Sequence, residues 1–250
     1  MKNILVVTLF LFTSSFFGQE LSDKDIINKA IEFLKINEKN LLLNKICLKV
    51  IPNQKEKVII VLPVISKRYA ECGDEPCFDI DNNILVWNKI TKSIETKYTK
   101  KAEWSSDAVG LDEIKIDTGL YYLNKNTRAF GIRYSYRGSS RVNPFDSNSI
   151  NLYYFKDNQI VEVLNNFELE SSNGENDGSG GCKDAWFETS KSVFIISDKL
   201  TMKFNDITVK TKLKDYSLDV TCEKEIIKNE STKNSVLKFD EKQHKYILKQ

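Results

Sequence analysis

The densest run of oxygen donors in the chain is Asn173-Gly-Glu-Asn-Asp-Gly-Ser-Gly-Gly-Cys-Lys-Asp184. Donors recur at Asn173, Glu175 and Asp177, Gly178 takes the sharp-turn place, and Asp184 closes the stretch. A hard cation draws many oxygens from a tightly turned backbone, and this is the ligand spacing of a calcium loop. Asn stands where such a loop has its first acid and Asp where it has a bidentate Glu, and no helical pattern flanks the stretch. The plainer reading is a glycine-rich polar connection between two strands. Calcium is the cofactor that this spacing suggests.

Asp79 and Asp81 are a second candidate. Paired carboxylates serve as acid and base, or acid and nucleophile, in glycoside hydrolysis. Asn82 and Asn83 follow them, so a turn rich in Asp and Asn accounts for the same residues. A third candidate is Arg137-Gly-Ser-Ser-Arg141, where two arginines and two hydroxyls flank a glycine. A backbone nest beside guanidinium groups binds an anion. The segment lacks the lysine and the strand-loop-helix setting of a P-loop, and a solvated hairpin loop is the simpler reading. Ser-His catalysis would have to use His244, the only histidine, which sits in the polar turn Lys242-Gln-His-Lys245. No catalytic residue is assigned.

The cysteines depend on where the protein resides. Lys2, the apolar run Ile4 to Phe12 and the small residues Thr13, Ser14, Ser15 and Gly18 form the pattern of a secretory signal peptide over residues 1–19. The run is shorter than the roughly 20 residues that span a bilayer. Residues 20–250 are then a single β-rich domain, periplasmic or secreted, with no membrane span. Outside the cytoplasm thiols pair, and five cysteines leave one over. Cys72 and Cys77 suit a small stapled loop, while Cys182 and Cys222 would staple distant segments. Cys47, between Ile46 and Leu48, is the expected buried free thiol. Other pairings remain open on sequence alone.

The elements that carry these residues are mostly strands. Only about 22–36 reads as a helix: Ser22 caps it, Asp25 completes a capping box, and Ile26, Ile27, Ala30, Ile31 and Leu34 form an apolar stripe. Val58 to Ile65 is nearly all apolar, as in a strand buried on both faces, with Pro63 marking a bulge or an edge. Phe130, Ile132, Tyr134 and Tyr136 alternate with polar residues and glycine. Ile207, Val209, Thr211 and Leu213 alternate with Thr208, Lys210, Lys212 and Lys214, a solvated row. Hairpins are predicted at Asn88–Lys92, Lys156–Asn158 and Asp240–Gln243, with weaker ones at Asn124–Asn126 and at Asp198. Their spacing of roughly 40 residues suits propeller-like repeats, and a β-sandwich suits them equally. The fold class is all-β, mainly antiparallel, with one N-terminal α-helix. One tyrosine in each of the pairs Tyr121/Tyr122 and Tyr153/Tyr154 is expected to be exposed to a partner.

The stretch Arg128 to Pro144, with Trp104-Ser-Ser-Asp107 and the region of Cys182, Phe187 and Glu188, resembles blocks in a family of uncharacterised exported β-rich bacterial proteins. The resemblance runs from about residue 57 to the C-terminus. It implies export and a β fold, and it carries no activity or site. Lys and Arg number 37 against 35 Asp and Glu, a formal charge of +2, which argues against a dedicated nucleic-acid binder. The reading that remains is an exported, non-enzymatic binding module for a protein or glycan partner. The alternatives are a carboxylate-based hydrolase of carbohydrate and a calcium-stabilised domain.

Overall fold

Helix α1 spans Asp23–Leu34 and begins as the sequence requires. The Ser22 hydroxyl accepts from the Asp25 N–H, and the Asp25 carboxylate accepts from the Ser22 N–H. The structure is a computed structural model and describes residues 21–249, apart from 53, 71, 73–75, 177, 179–181 and 183–184. The expected signal segment lies outside the described residues.

Twelve strands follow α1: β1 (Cys47–Ile51), β2 (Gln54–Tyr69), β3 (Cys77–Asn88), β4 (Ser93–Ser106), β5 (Val109–Asn124), β6 (Thr127–Gly138), β7 (Phe145–Lys156), β8 (Gln159–Glu175), β9 (Trp186–Thr201), β10 (Phe204–Leu218), β11 (Glu225–Asp240) and β12 (Lys245–Lys249). They form one four-stranded sheet, β1 to β4 in order, and one eight-stranded sheet, β5 to β12 in order. Every strand pairing is antiparallel. The all-β class with one N-terminal helix is as the sequence indicated. The two sheets share a core, which is the sandwich arrangement, and nothing in the strand order shows a propeller.

Period-two alternation sorts the side chains into three cores. In β2, Val58, Ile60 and Leu62 face α1, while Ile59 and Val61 face the large sheet. In β3, Leu85 and Trp87 face α1, and Ile84 and Val86 face inward. A helix of this length is marginal alone in water, so Ile26, Ala30 and Ile31 hold it by burial on that face. Each aliphatic side chain fully buried there contributes roughly 1.5–3 kcal/mol. Between the sheets, Ile59, Val61 and Trp104 meet Phe130, Ile132, Tyr134 and Tyr153. The third core lies on the far side of β5 to β8, where Ile150, Leu152 and Tyr154 meet Phe204, Ile207, Leu237 and Phe239.

Pro63 lies beyond Val61, the last β2 residue paired with β1. Its carbonyl accepts from Leu42, so its missing N–H falls on an edge rather than in a ladder. The β7–β8 turn uses Asp157 and Asn158 at φ 49° and 60°, the left-handed pair a two-residue hairpin needs. Three expectations fail. β9 runs through Asp198 to Thr201, and the turn comes at Met202, φ 58°. Asp79 to Asn83 form strand rather than turn, because cross-strand groups satisfy their side chains: Asn83 donates to the Leu62 carbonyl and accepts from Thr99. Tyr121 and Tyr122 divide into buried and exposed as expected, but Tyr153 and Tyr154 are both buried, since β7 runs between two cores.

Candidate functional site

Consecutive strands of the large sheet place polar side chains in register. Glu113, Ser135, Asn148, Glu170, Lys191 and Lys212 form one cross-strand row. Two residues along each strand from β6 onward, Arg137, Asp146, Ser172, Thr189 and Lys214 form the next. Cross-strand partners share a face, and residues two apart on a strand share it too. The rows line a groove of about 520 Å³, completed by Asp112, Tyr136, Ser147, Ser171 and Ser190. That volume lies in the range of small-molecule sites, which are usually more apolar.

The charges in the groove are paired. Arg137 Nε lies 2.9 Å from Asp146, and an Arg137 terminal nitrogen lies 3.6 Å from Asp112. Lys191 bonds Glu170, Lys212 bonds Glu230, each at 2.9 Å, and Lys214 bonds Glu225 at 2.7 Å. Glu113 bonds Lys115 at 2.6 Å. These pairs are partly exposed and contribute little to stability individually. They fix side-chain positions and leave hydroxyl, amide and charged groups along one surface.

A second polar site lies between the sheets. β4 carries a bulge opposite Asp81, with Ala102 at φ 45°, and β8 carries one opposite Asn151, with Asn166 at φ 48°. Asp81 accepts from the Ala102 N–H at 3.0 Å and from Lys101 at 2.5 Å. Asn151 accepts from the Asn166 N–H at 2.5 Å. Burial alone would raise the Asp81 carboxyl, but the bonds from Lys101, Ala102 and Ser66 outweigh it and hold it below the usual range.

Lys100 joins the two bulges. Its ammonium lies 2.8 Å from Glu103, 2.9 Å from Glu162 and 2.6 Å from the Asn165 oxygen. Lys245 reaches the other Glu162 oxygen at 2.5 Å, and Asn151 donates to Glu103 at 2.8 Å. The carboxylate side chains are 3% and 6% exposed. Burial would lower the Lys100 ammonium, yet Glu103 and Glu162 outweigh burial and hold it above its ordinary value. A cavity of about 270 Å³ adjoins this cluster, lined by Glu103, Tyr134, Tyr136, Asn165 and Asn166 among others. Sequence reasoning missed this site. Its acids, lysines and asparagines lie on different strands, and only the bulges bring them together.

The residues singled out from the sequence are dispersed. Asp79 and Asp81 lie two apart on β3, where Asp79 accepts from the Tyr69 hydroxyl at 2.6 Å. Arg137 lies in the groove, while Arg141 is exposed in the β6–β7 connection. Asn173 and Glu175 lie on β8, paired with Glu188 and Trp186. Gly178 has φ 72°. Asp177 and Asp184 lie outside the described residues. Among the described residues, no group of three or more His, Cys, Asp or Glu is placed to hold a metal ion. Likewise no helix there is long and apolar enough to cross a membrane. His244 is an exposed turn residue, φ 54°.

The cysteines pair as the spacing suggested. Cys72 bonds Cys77, and Cys182 bonds Cys222. Cys47 is free and half-buried. Burial pushes its thiol up to about 12, Glu113 adds to the rise, and a backbone bond with Ile116 opposes it. The thiolate is the reactive form. At mildly alkaline pH the native thiol should therefore alkylate on the order of a thousandfold more slowly than an ordinary cysteine. The unfolded, unreduced chain should show one reactive thiol. Rapid native labelling, or three thiols on unfolding, would contradict this.

Comparison with protein-family models, with characterised proteins and with solved structures gives no match for the chain.

Proposed function

We propose that this is an exported, non-enzymatic binding module that holds a hydroxyl-rich ligand, a glycan, along the two polar rows of β6 to β10. The observation that carries the reading is the groove itself. Donors and acceptors from consecutive strands line one surface, and each charged group among them already has a counter-ion that fixes its position. A ligand rich in hydroxyls exchanges water for such groups at little cost, whereas an apolar one leaves them unpaired. The stretch Arg128 to Pro144, on which the resemblance to exported bacterial proteins rests, supplies Ser135 and Arg137 to the groove. Export is supported by the N-terminal pattern and by two disulfides.

The test is calorimetric titration with soluble hexasaccharides of glucose, mannose and N-acetylglucosamine. At least one should bind, and Asp146→Asn or Lys191→Ala should weaken it about tenfold, the loss of one charge-assisted hydrogen bond. Both side chains are more than half exposed, so the melting temperature should hardly change. No binding by any of the three at millimolar concentration would count against the reading. The runner-up, a carboxylate-based hydrolase of carbohydrate, is favoured by one observation. Glu103 and Glu162 converge on one ammonium beside a cavity, as Asp79 and Asp81 do not. Shortened products from the same panel, lost in Glu103→Gln, would favour the hydrolase.

A further inference from the structure

The distal part of β11 is the least covered strand of the large sheet. Residues 225–234 are all exposed, so neither face is packed. On one side they pair with β10, and on the other side β12 covers β11 only from Val236 onward. Among the described residues this leaves a free edge of ten residues, roughly 34 Å of strand whose outward N–H and C=O groups meet no partner strand. Such an edge accepts another strand unless its side chains forbid it.

The edge sequence is Glu225-Ile-Ile-Lys-Asn-Glu-Ser-Thr-Lys-Asn234, and its charges are arranged about a centre. Lys228 and Glu230 stand one residue either side of Asn229. We infer that two copies of this chain pair edge to edge through β11, antiparallel, with the two-fold axis at Asn229. In that register Lys228 faces the partner copy's Glu230. The two-fold repeats it, giving two opposite-charge pairs either side of the axis. Moving the axis by one residue sets Lys228 or Glu230 opposite itself, and like charges directly opposite are destabilising. The charges therefore reject neighbouring registers and accept this one.

Lys228 is also the extra residue of a bulge against β10. Bulges and lysines commonly protect edges from stray strands. Here the ladder runs as two short segments either side of Asn229. Glu230 keeps its partner Lys212 on β10, because a carboxylate accepts from more than one donor.

The test uses the mature chain with its disulfides intact, followed by sedimentation over a concentration series. The parent should dimerise reversibly. Lys228→Glu should weaken the dimer at least tenfold, and adding Glu230→Lys should return it to within about threefold of the parent, since the exchanged charges again face each other. The substituted side chains are exposed, so folding survives. Asn229→Cys should form a disulfide between copies on mild oxidation, because directly opposed residues lie about 4.5–5.5 Å apart at Cα. Asn234→Cys should not. A parent that stays monomeric throughout, a dimer indifferent to Lys228→Glu, or cross-linking at 234 in place of 229 would each overturn the inference.

Discussion

Replacing Lys100 by methionine should destabilise the fold by about 3–5 kcal/mol, because it leaves buried carboxylates without their shared counter-ion. Glu162 keeps Lys245 and Glu103 keeps Asn151, so the loss should fall toward the lower end of that range. For a chain of this size it corresponds to a fall of roughly 6–12 °C in melting temperature. The decisive control is Lys100→Met with Glu103→Met and Glu162→Leu. Replacing a buried ionic cluster by apolar groups of similar volume is often neutral or stabilising, and Lys245, which loses Glu162, is 36% exposed and can turn to solvent, so this triple variant should recover much of what the single one loses. The pH dependence has a definite sign. Lys100 is held above its ordinary value in the folded chain, so the folded state binds its proton more tightly than the unfolded state does. Its contribution is complete below the ordinary lysine value of about 10.4 and is lost as pH rises through the raised folded value. The gap between parent and Lys100→Met should therefore be constant through neutral pH and close only at alkaline pH. A single variant as stable as the parent would show that the two bulges do not depend on Lys100.

Removing the Cys182–Cys222 bond, as Cys182→Ser with Cys222→Ser, should cost about 4 kcal/mol, against about 2 kcal/mol for the Cys72–Cys77 bond. The difference follows from loop length. The first bond spans a separation of 40 residues and the second a separation of 5, and a longer closed loop removes more entropy from the unfolded chain. Placement adds to it. Cys182 and Cys222 tie the β8–β9 connection to the β10–β11 connection, where the faces of β11 are exposed and burial contributes least. Urea titration of the two double variants checks the order. An equal or larger loss at Cys72–Cys77 would contradict the loop-length argument, and amide exchange should rise first over β9 to β11 when the long bond is absent.

Much of the fold was legible in the sequence because its signals are local. The capping box of Ser22 and Asp25 needs only four residues to declare itself. The apolar run of β2 announces burial on both faces, and Pro63 announces an edge. The expectation that one of Tyr153 and Tyr154 is exposed fails for a non-local reason. Alternation fixes which face a tyrosine takes, but only the third core, built from β10 to β12, decides that this face is covered. The sites were far less legible. Ser135, Asn148, Glu170 and Lys191 each read as ordinary polar positions on a half-buried strand, and their alignment depends on register set by turns and bulges elsewhere. The bulge at Ala102 has no local signature, since alanine seldom adopts a left-handed conformation and is placed there by Asp81 on the neighbouring strand. Asn166 is a residue type that tolerates that conformation, a hint readable only once Asn151 is known to face it.

A glycan held on the polar rows of β6 to β10 should perturb the backbone amides of those strands. The most direct measurement is amide chemical-shift mapping of the isotope-labelled mature chain, titrated with whichever hexasaccharide gives heat in the calorimeter. Saturable shifts should concentrate at Ser135, Arg137, Asp146, Asn148, Ser172, Thr189 and Lys191, with the surroundings of Glu103 and Glu162 unmoved. Shifts centred on the Glu103 cavity, or scattered over the surface without saturation, would contradict it.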